Sequence, residues 1–510
     1  MIMTRVRLVK GLVAAAALLL PLAACTTTTG GGGPTAGGDV PQELVASGQY
    51  PVENLDPHSA SGGSAGMDLV AKEIYSRLTA PDETGKIVGD LATEWKPNDN
   101  GDEWTFTLRE GATFTDGSAL DSADVVASFK RFLELDSPPA ANFPGVTVAA
   151  PDPKTVTFTT EKADAALPSK LTTFYVLPSE TEAKAGAVGE KPVGSGPYQV
   201  ESFAAGQDVV LVPNPQYFGG APTLTKLTLR TIPEISTRLT ALQTGEVDVV
   251  WGVPDDQLAE LRAAGTIKTE AVQSAGSILI WFNSERPFFK DKPEVRRALW
   301  QAVDFATIIK QINPETGTPA DSAIAPTVFG YAPQTPVTYD PDAAKQALTE
   351  AGFDFDKTYE LQYQSQFKPF VSAIVSDLAK IGVKIDAREK EQAVFIEDLL
   401  AMRWDINFQQ VGTAGYDAST NLGRLYTCAA KRNGYCNPEL DKLLAEAGSN
   451  PDQAKREELY AQAGKIIWDD AVGMFPMFVK TSYAWNDKVS GFTLDPQGLP
   501  AFRAAKVAGS

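Results

Sequence analysis

Three groups of residues have the types and spacing for covalent chemistry. Gly62-Gly63-Ser64-Ala65-Gly66 fits G-x-S-x-G. A nucleophile elbow needs a buried strand before the serine and, in the hydrolase order, a histidine after it. Here NLDPHSAS precedes the serine, and the one histidine of the chain, His58, lies upstream, so Ser64 is read as part of a flexible or ligand-facing loop. Ser365-Gln366-Phe367-Lys368 fits S-x-x-K, with Tyr435-Cys436-Asn437 and Lys480-Thr481-Ser482 as loose partners. Together they would describe a penicillin-interacting serine acyl enzyme. Pro369 stands against it, because the residue before a proline is biased away from helix and the serine should open a buried one. The third group is Cys428 and Cys436 in CAAKRNGYC. A pair this close suggests a local disulfide in an oxidising compartment, with Asn433-Gly434 as the turn; free thiols are the alternative.

The remaining chemistry is sparse. Asp255-Asp256 and Asp469-Asp470 read as solvated faces. No P-loop follows a strand and no G-x-G-x-x-G opens a helix. A single imidazole gives little for histidine-based catalysis or a histidine metal site, and no cofactor is expected. The formal charge of −19 repels phosphate backbones and argues against nucleic acid as a partner. A large chain without catalytic machinery favours binding, with a solute held in a crevice between lobes by aromatic walls and a few polar groups. Trp281 and Asn283 in SILIWFNS are cleft candidates because they end a strand near an expected domain change.

The first 25 residues address the compartment. Arg5, Arg7 and Lys10 precede an apolar run from Leu12 to Leu22, followed by Leu22-Ala23-Ala24-Cys25. The run is short for a spanning helix and matches an export signal. Its Leu-x-x-Cys ending resembles the bacterial lipobox. That resemblance implies cleavage after residue 24 and lipid on Cys25, hence a protein anchored on the extracytoplasmic face of the cell membrane. Residues 25–39 (CTTTTGGGGPTAGGD) form a threonine- and glycine-rich flexible tether.

The 510 residues are too many for one core, and the body reads as mixed α/β. EWTFTLREG alternates as a strand with Trp104, Phe106 and Leu108 on its buried face, and ATFTDG is expected to return beside it. Asp121 or Ser122 caps a helix carrying Val125, Phe129, Phe132 and Leu133 on one face. From Gly194 onward, helix, glycine and apolar strand recur: ISTRLTALQTG before VDVVW, FVSAIVSDLAKIG before VKIDA, VFIEDLLAMR before DINFQQV. EVRRALWQAVDFATIIKQI reads as one long helix opened by Pro293. Two charged helices near 437–447 and 451–470 precede a last strand around FPMFVK.

Ordered blocks along this body resemble a known family. They include NLDPHSA, AKEIYSRL, GKIVGDLATEWK, DEWTFTLREGATFTDGSALDSADVVASFKRF, GSGPYQV, LVPNPQYFGGAPTLTKLTLRTIPEISTRLTALQTGEVDV, FFKDKPEVRRALWQAVD, YDPDAAKQALTEAGF and CNPELDKLLAEAG. The series is similar to the extracellular solute-binding proteins of the peptide/nickel class (family 5), the dipeptide- and oligopeptide-binding components of bacterial ABC importers. The resemblance implies a type II periplasmic-binding-protein fold, two lobes around a ligand cleft plus an extra α/β domain. Its parts would be 40–77, 191–285 and 476–510 for the first lobe, 78–190 for the extra domain and 286–475 for the second lobe. It also implies no enzyme activity and delivery of a small peptide to ABC permease subunits; a tethered carrier of one ligand needs no oligomer, so a monomer is expected.

LYTCAAKRNGYCNPELDKLL looks like the dipeptide-binding branch. There an aspartate upstream of the first cysteine holds the ligand's amine and an Arg-Pro-Tyr stretch holds its carboxylate. The aspartate's register falls at Ala414, with Tyr416 and Asp417 close by. QSQFKPF replaces the arginine stretch, leaving Phe367 and Lys368 as candidates, and a lysine offers a point charge without arginine's fork. Longer peptides, an oligosaccharide or a metal complex stay open as ligands. A scaffold or adhesion lipoprotein is a further reading.

Overall fold

A computed structural model describes residues 41–508 except 183, 185, 187, 190, 191 and 413. The export signal, Cys25 and the tether lie outside the described residues.

A twelve-stranded mixed sheet organises the body. Its order is Tyr198–Phe203, Asp208–Pro213, Lys226–Thr231, Glu43–Gly48, Val249–Trp251, Met477–Asn486, Ile267–Phe282, Ile406–Val411, Thr358–Tyr363 and Lys384–Glu389, with two short strands beside the path. The apolar strands follow their helices as the helix–glycine–strand cadence predicts. Ile235–Thr244, for example, ends at Gly245, whose φ of 77° is the left-handed cap that releases the chain into Val249–Trp251.

Two strands run through both halves of the sheet. Ile267–Phe282 pairs antiparallel with Met477–Asn486 from Ile267 opposite Asn486 to Gln273 opposite Lys480, and its register then shifts between Gln273 and Gly276. Beyond the shift, Ser277–Phe282 pairs with Ile406–Val411. One continuous strand thus serves the first lobe with its beginning and the second with its end. Each side has its own core. The first contains Leu44, Val70 and Leu229; the second contains Trp300, Ile374, Phe408 and Trp468.

A further core gathers Phe106, Phe129 and Phe158 under a four-stranded antiparallel sheet ordered Ala92–Pro97, Glu103–Leu108, Thr155–Thr159, Thr147–Asp152. Trp104, Phe106 and Leu108 face inward as their alternation predicts. The partners of that strand are ATEWKP and TVTFT, not ATFTDG, which makes a tight turn closed by a Thr113–Ala119 bridge. Asp121 caps the helix Ser122–Glu134. Val125, Phe129 and Phe132 are buried, but Leu133 is 36% exposed at the edge of the stripe. On its buried side this helix presents Arg131, which forks onto Asp56 at 2.9 and 2.6 Å.

Two other expectations change. The long helix from Pro293 is two, Pro293–Gln301 and Phe305–Ile312, because Asp304 caps the second through the Thr307 amide and receives the Thr307 N–H at 3.0 Å. Lys368 is helical despite Pro369. It opens Lys368–Lys380, where proline occupies a first-turn position whose N–H has no intrahelical acceptor. Cys428 and Cys436 form a disulfide.

Candidate ligand-binding cleft

The register shift that carries Ile267–Phe282 between lobes is built from small residues. Ala275 donates its N–H to Pro496 O at 2.7 Å, and Ser274 Oγ donates to Val479 O at 2.6 Å. Gly276 packs closely: a Cβ there would stand 3.1 Å from Ser274 Oγ, a tight contact, and 3.5 Å from Val479 Cβ. These contacts tie the two crossing strands to the carboxyl-terminal turn.

A cavity of about 480 Å³ opens at this crossing. Gly62, Gly63 and Asp68 line it from the first lobe, Pro139 and Asn142 from the additional domain, and Gln410 and Gly412 from the second lobe. Thr481 of the other crossing strand and Gln497 complete the polar lining. Its size suits a small organic ligand. The wall is made chiefly of amides, hydroxyls and backbone, with Asp68 as its charged side chain.

Asp68 lies in the first turn of the helix Ala65–Ile74, whose N-cap is Ser64. Burial pushes its carboxyl up to about 6, against the pull of Arg77 and Lys72 and with Asp495 adding to the rise. Both cations are engaged elsewhere. Lys72 binds Asp495 at 2.9 Å and Leu499 O at 3.0 Å. Arg77 donates to Thr172 O at 3.0 Å and lies over the Tyr175 ring.

The residues singled out by sequence fall elsewhere. Trp281 is 1% exposed inside the second lobe, its indole donating to the Tyr426 hydroxyl at 3.3 Å. Asn283 is equally buried and donates to Met402 O and Trp404 O. The strand crosses between lobes at Ser274–Gly276, so its end carries these two into the lobe interior. Phe367 is half-buried against Phe408. Lys368 is exposed and pairs with Glu389 at 3.3 Å.

Tyr416 and Asp417 adjoin each other in a buried turn. Gly415 (φ 75°) and Tyr416 (φ 54°) are both left-handed, and the Tyr416 hydroxyl has no hydrogen-bond partner among the described residues. Asp417 caps the helix Ala418–Tyr426 and accepts from Arg456 Nη2 at 2.7 Å and the Tyr460 hydroxyl at 3.3 Å. It borders a separate cavity of about 360 Å³.

The serine motifs are not assembled for acyl chemistry. Ser64 serves as a helix cap, accepting from the Met67 amide. His58 is enclosed, with Nε2 2.9 Å from Tyr175 O and burial holding its ring down to about 4. Ser365 is exposed, and Asn437 caps the helix Pro438–Ser449.

Asp68, Ser274–Gly276, Gln410 and Gln497 line the cavity without belonging to any motif that the sequence singles out. The run QSAG inside an otherwise apolar strand was the available signal for the crossing. Asp68, set between buried Met67 and Leu69, was the signal for the carboxylate.

Comparison with known proteins agrees with this architecture. The family described as bacterial extracellular solute-binding proteins, family 5 Middle, matches residues 86–433. The "Probable D,D-dipeptide-binding periplasmic protein DdpA" of Escherichia coli K12 is 28% identical over 488 residues, covering 91% of this chain and 94% of its own. A dipeptide-binding protein from Pseudoalteromonas sp. SM9913, solved with Met-Leu, superposes with a TM-score of 0.74 at 25% identity, covering 91% of this chain and 100% of the other. HbpA2 from Haemophilus parasuis superposes with a TM-score of 0.82 at 23% identity over 92% of this chain and 100% of the other, a likeness of fold. The fold is that of the type II periplasmic binding proteins, two lobes around a cleft with an additional α/β domain. With the family pattern spanning most of the chain, this protein belongs to the bacterial extracellular solute-binding proteins, family 5.

Proposed function

We propose that this protein captures a peptide or peptide-like solute in the cleft at the crossing strands and presents it to the permease subunits of an ABC importer. The observation that carries the reading is the cavity of about 480 Å³ where both lobes, the additional domain and the crossing strands meet. Two strands joining two separately cored lobes make a natural hinge, and hinge closure over a solute is the expected motion. The similarity to dipeptide-binding proteins supports a peptide. In this reading residues 1–24 direct export, lipid on Cys25 holds a monomer at the extracytoplasmic face, and the protein itself catalyses no reaction. The lobes divide as 40–77, 191–285 and 476–510 against 286–475, except that the ends of the crossing strands beyond Gly276 and before Val479 pack into the second core, with 78–190 as the additional domain.

Native mass spectrometry of the purified protein, before and after mild unfolding and refolding, tests the reading. A retained mass that is released on unfolding and fragments as a peptide is the expected result. A stoichiometric covalent adduct with a β-lactam or fluorophosphonate, lost in Ser365→Ala or Ser64→Ala, would replace capture by acyl chemistry.

A further inference from the structure

Resting on that reading of the cleft, we propose that the solute carries a protonated amine, that Asp68 of the first lobe receives it, and that the part of the solute inside the cavity is otherwise neutral and hydrogen-bonding. The chemical class is an ammonium group on a polar, uncharged body. A peptide amino terminus and an amino sugar both supply it.

The first support is the state of Asp68. Its carboxylate accepts no hydrogen bond from the described residues, although it faces a cavity in which protein surrounds it on most sides. The neighbouring acid is occupied. Asp495 takes Lys72 and the amides of Gln497 and Leu499. A half-buried carboxylate left without a protein partner costs the fold unless something else completes it. A ligand ammonium completes it with a charge-assisted hydrogen bond.

The second support is what else lines the cavity. Asn142, Thr173, Gln410, Thr481 and Gln497 offer neutral donors and acceptors, and the lining holds neither lysine nor arginine. A ligand carboxylate inside the cavity would therefore meet no counter-charge while adding repulsion to Asp68. Lys72 and Arg77, the cations nearest Asp68, already hold acceptors of the first lobe and the adjoining segment. The site thus distinguishes an amine from an acid at one end, and a free dipeptide, whose two charges stand close together, fits it less well than a longer or carboxyl-blocked one.

Isothermal titration of the purified protein tests this with four probes: tri-alanine amide, its N-acetyl derivative, glucosamine and N-acetylglucosamine. An amine-bearing probe is expected to bind at least about tenfold more tightly than its acetylated partner, the range for one charge-assisted hydrogen bond. Asp68→Asn is expected to remove that difference. Binding by the peptide amide alone identifies a peptide terminus as the source, and binding by glucosamine alone identifies an amino sugar. Equal affinity for amine and acetylated probes of the unaltered protein overturns the proposal without recourse to any variant. So does an undiminished preference in Asp68→Asn, or no binding by either amine probe. A solute retained through purification that fails to react with an amine-specific label would overturn the amine while leaving solute capture standing. Absence of both retained solute and probe binding would overturn both.

Discussion

Asp417 begins a helix in the second lobe, and Asp68 lies in the first turn of a helix in the first lobe. Each is an acid near a helix amino terminus, where the helix dipole favours negative charge; Asp417 is buried and Asp68 half-buried. The surroundings then diverge. Asp417 accepts from Ser419 N at 3.0 Å, from Arg456 at 2.7 Å and from Tyr460 at 3.3 Å. Arg456 in turn donates to Ala447 O at 2.9 Å and Ala165 O at 3.3 Å, and lies over the Phe329 ring. Asp68 has a cavity in front of it and two cations turned away. One carboxylate is part of the lobe's construction, and the other is left for a solute. The difference lies in the partners each finds in three dimensions.

The largest effect that could break this contrast comes from Asp417→Asn. It leaves Arg456 charged, 4% exposed and without its carboxylate. Removing one partner of a buried pair costs about 3–5 kcal/mol, so the urea midpoint should fall well below that of the unaltered protein. Affinity for an amine-bearing probe should stay within about twofold, since the cavity wall is untouched. A stability loss below about 1 kcal/mol together with a tenfold affinity loss would exchange the roles of the two aspartates.

Asp68→Asn is the converse and the next in size. A carboxyl raised from 3.8 to about 6 holds its proton more tightly when folded than when unfolded. Its contribution favours the fold below pH 4 and is lost as pH rises through 6. Glu73 behaves in the same direction, pushed up to about 7 by burial, partly offset by Lys72 and the Phe502 amide, with Asp495 adding to the rise. His58, held down to about 4 mainly by burial, works the other way across much of this range. The pH curve of the protein alone therefore mixes opposing contributions, and the difference between Asp68→Asn and the unaltered protein isolates one. That difference should be near zero at pH 4 and should grow in the variant's favour to about 1–2 kcal/mol at pH 7, reduced from the full linkage value because water in the cavity reaches the group. The groups that face Asp68, namely Arg77, Lys72 and Asp495, remain in both proteins. Thermal melts across that range measure it. A variant less stable at pH 7 would mean that Asp68 already has a structural partner.

The contrast also marks how far the residues could be read in advance. Strands such as Glu103–Leu108 and caps such as Asp121 and Gly245 depend on near neighbours, and their patterns were legible. The ordered blocks carried the fold. The site was harder. Arg456 lies 39 residues from Asp417, and nothing near GTAGYDAS shows that its aspartate is engaged. Trp281 looked like a cleft wall because a strand ended there, yet the lobes change at Ser274–Gly276, where a register shift and the Pro496 carbonyl decide the path. Asp68 follows the G-x-S-x-G run, which reads as a loop, yet it stands in the first turn of the helix that Ser64 caps. Which carboxylate stays unpaired is fixed by elements far apart in sequence, so local spacing carries little of that information.

The smallest expected effect bears on the other end of the solute. Lys368 is the cation in the QSQFKPF stretch, where the family resemblance would set a group for a ligand carboxylate. Here its side chain is 67% exposed and its partner Glu389 is 43% exposed. Such pairs contribute about 0–1 kcal/mol, so Lys368→Ala should change stability by less than about 0.5 kcal/mol. The decisive comparison is free tri-alanine against tri-alanine amide. If the cavity offers no cation, both bind the variant as they bind the unaltered protein, and the amide binds at least as tightly as the free peptide in each. If closure of the lobes swings Lys368 onto the carboxylate, the substitution weakens the free peptide and spares the amide. That outcome would return the site to recognition of both ends and confine the role of Asp68 to one of them.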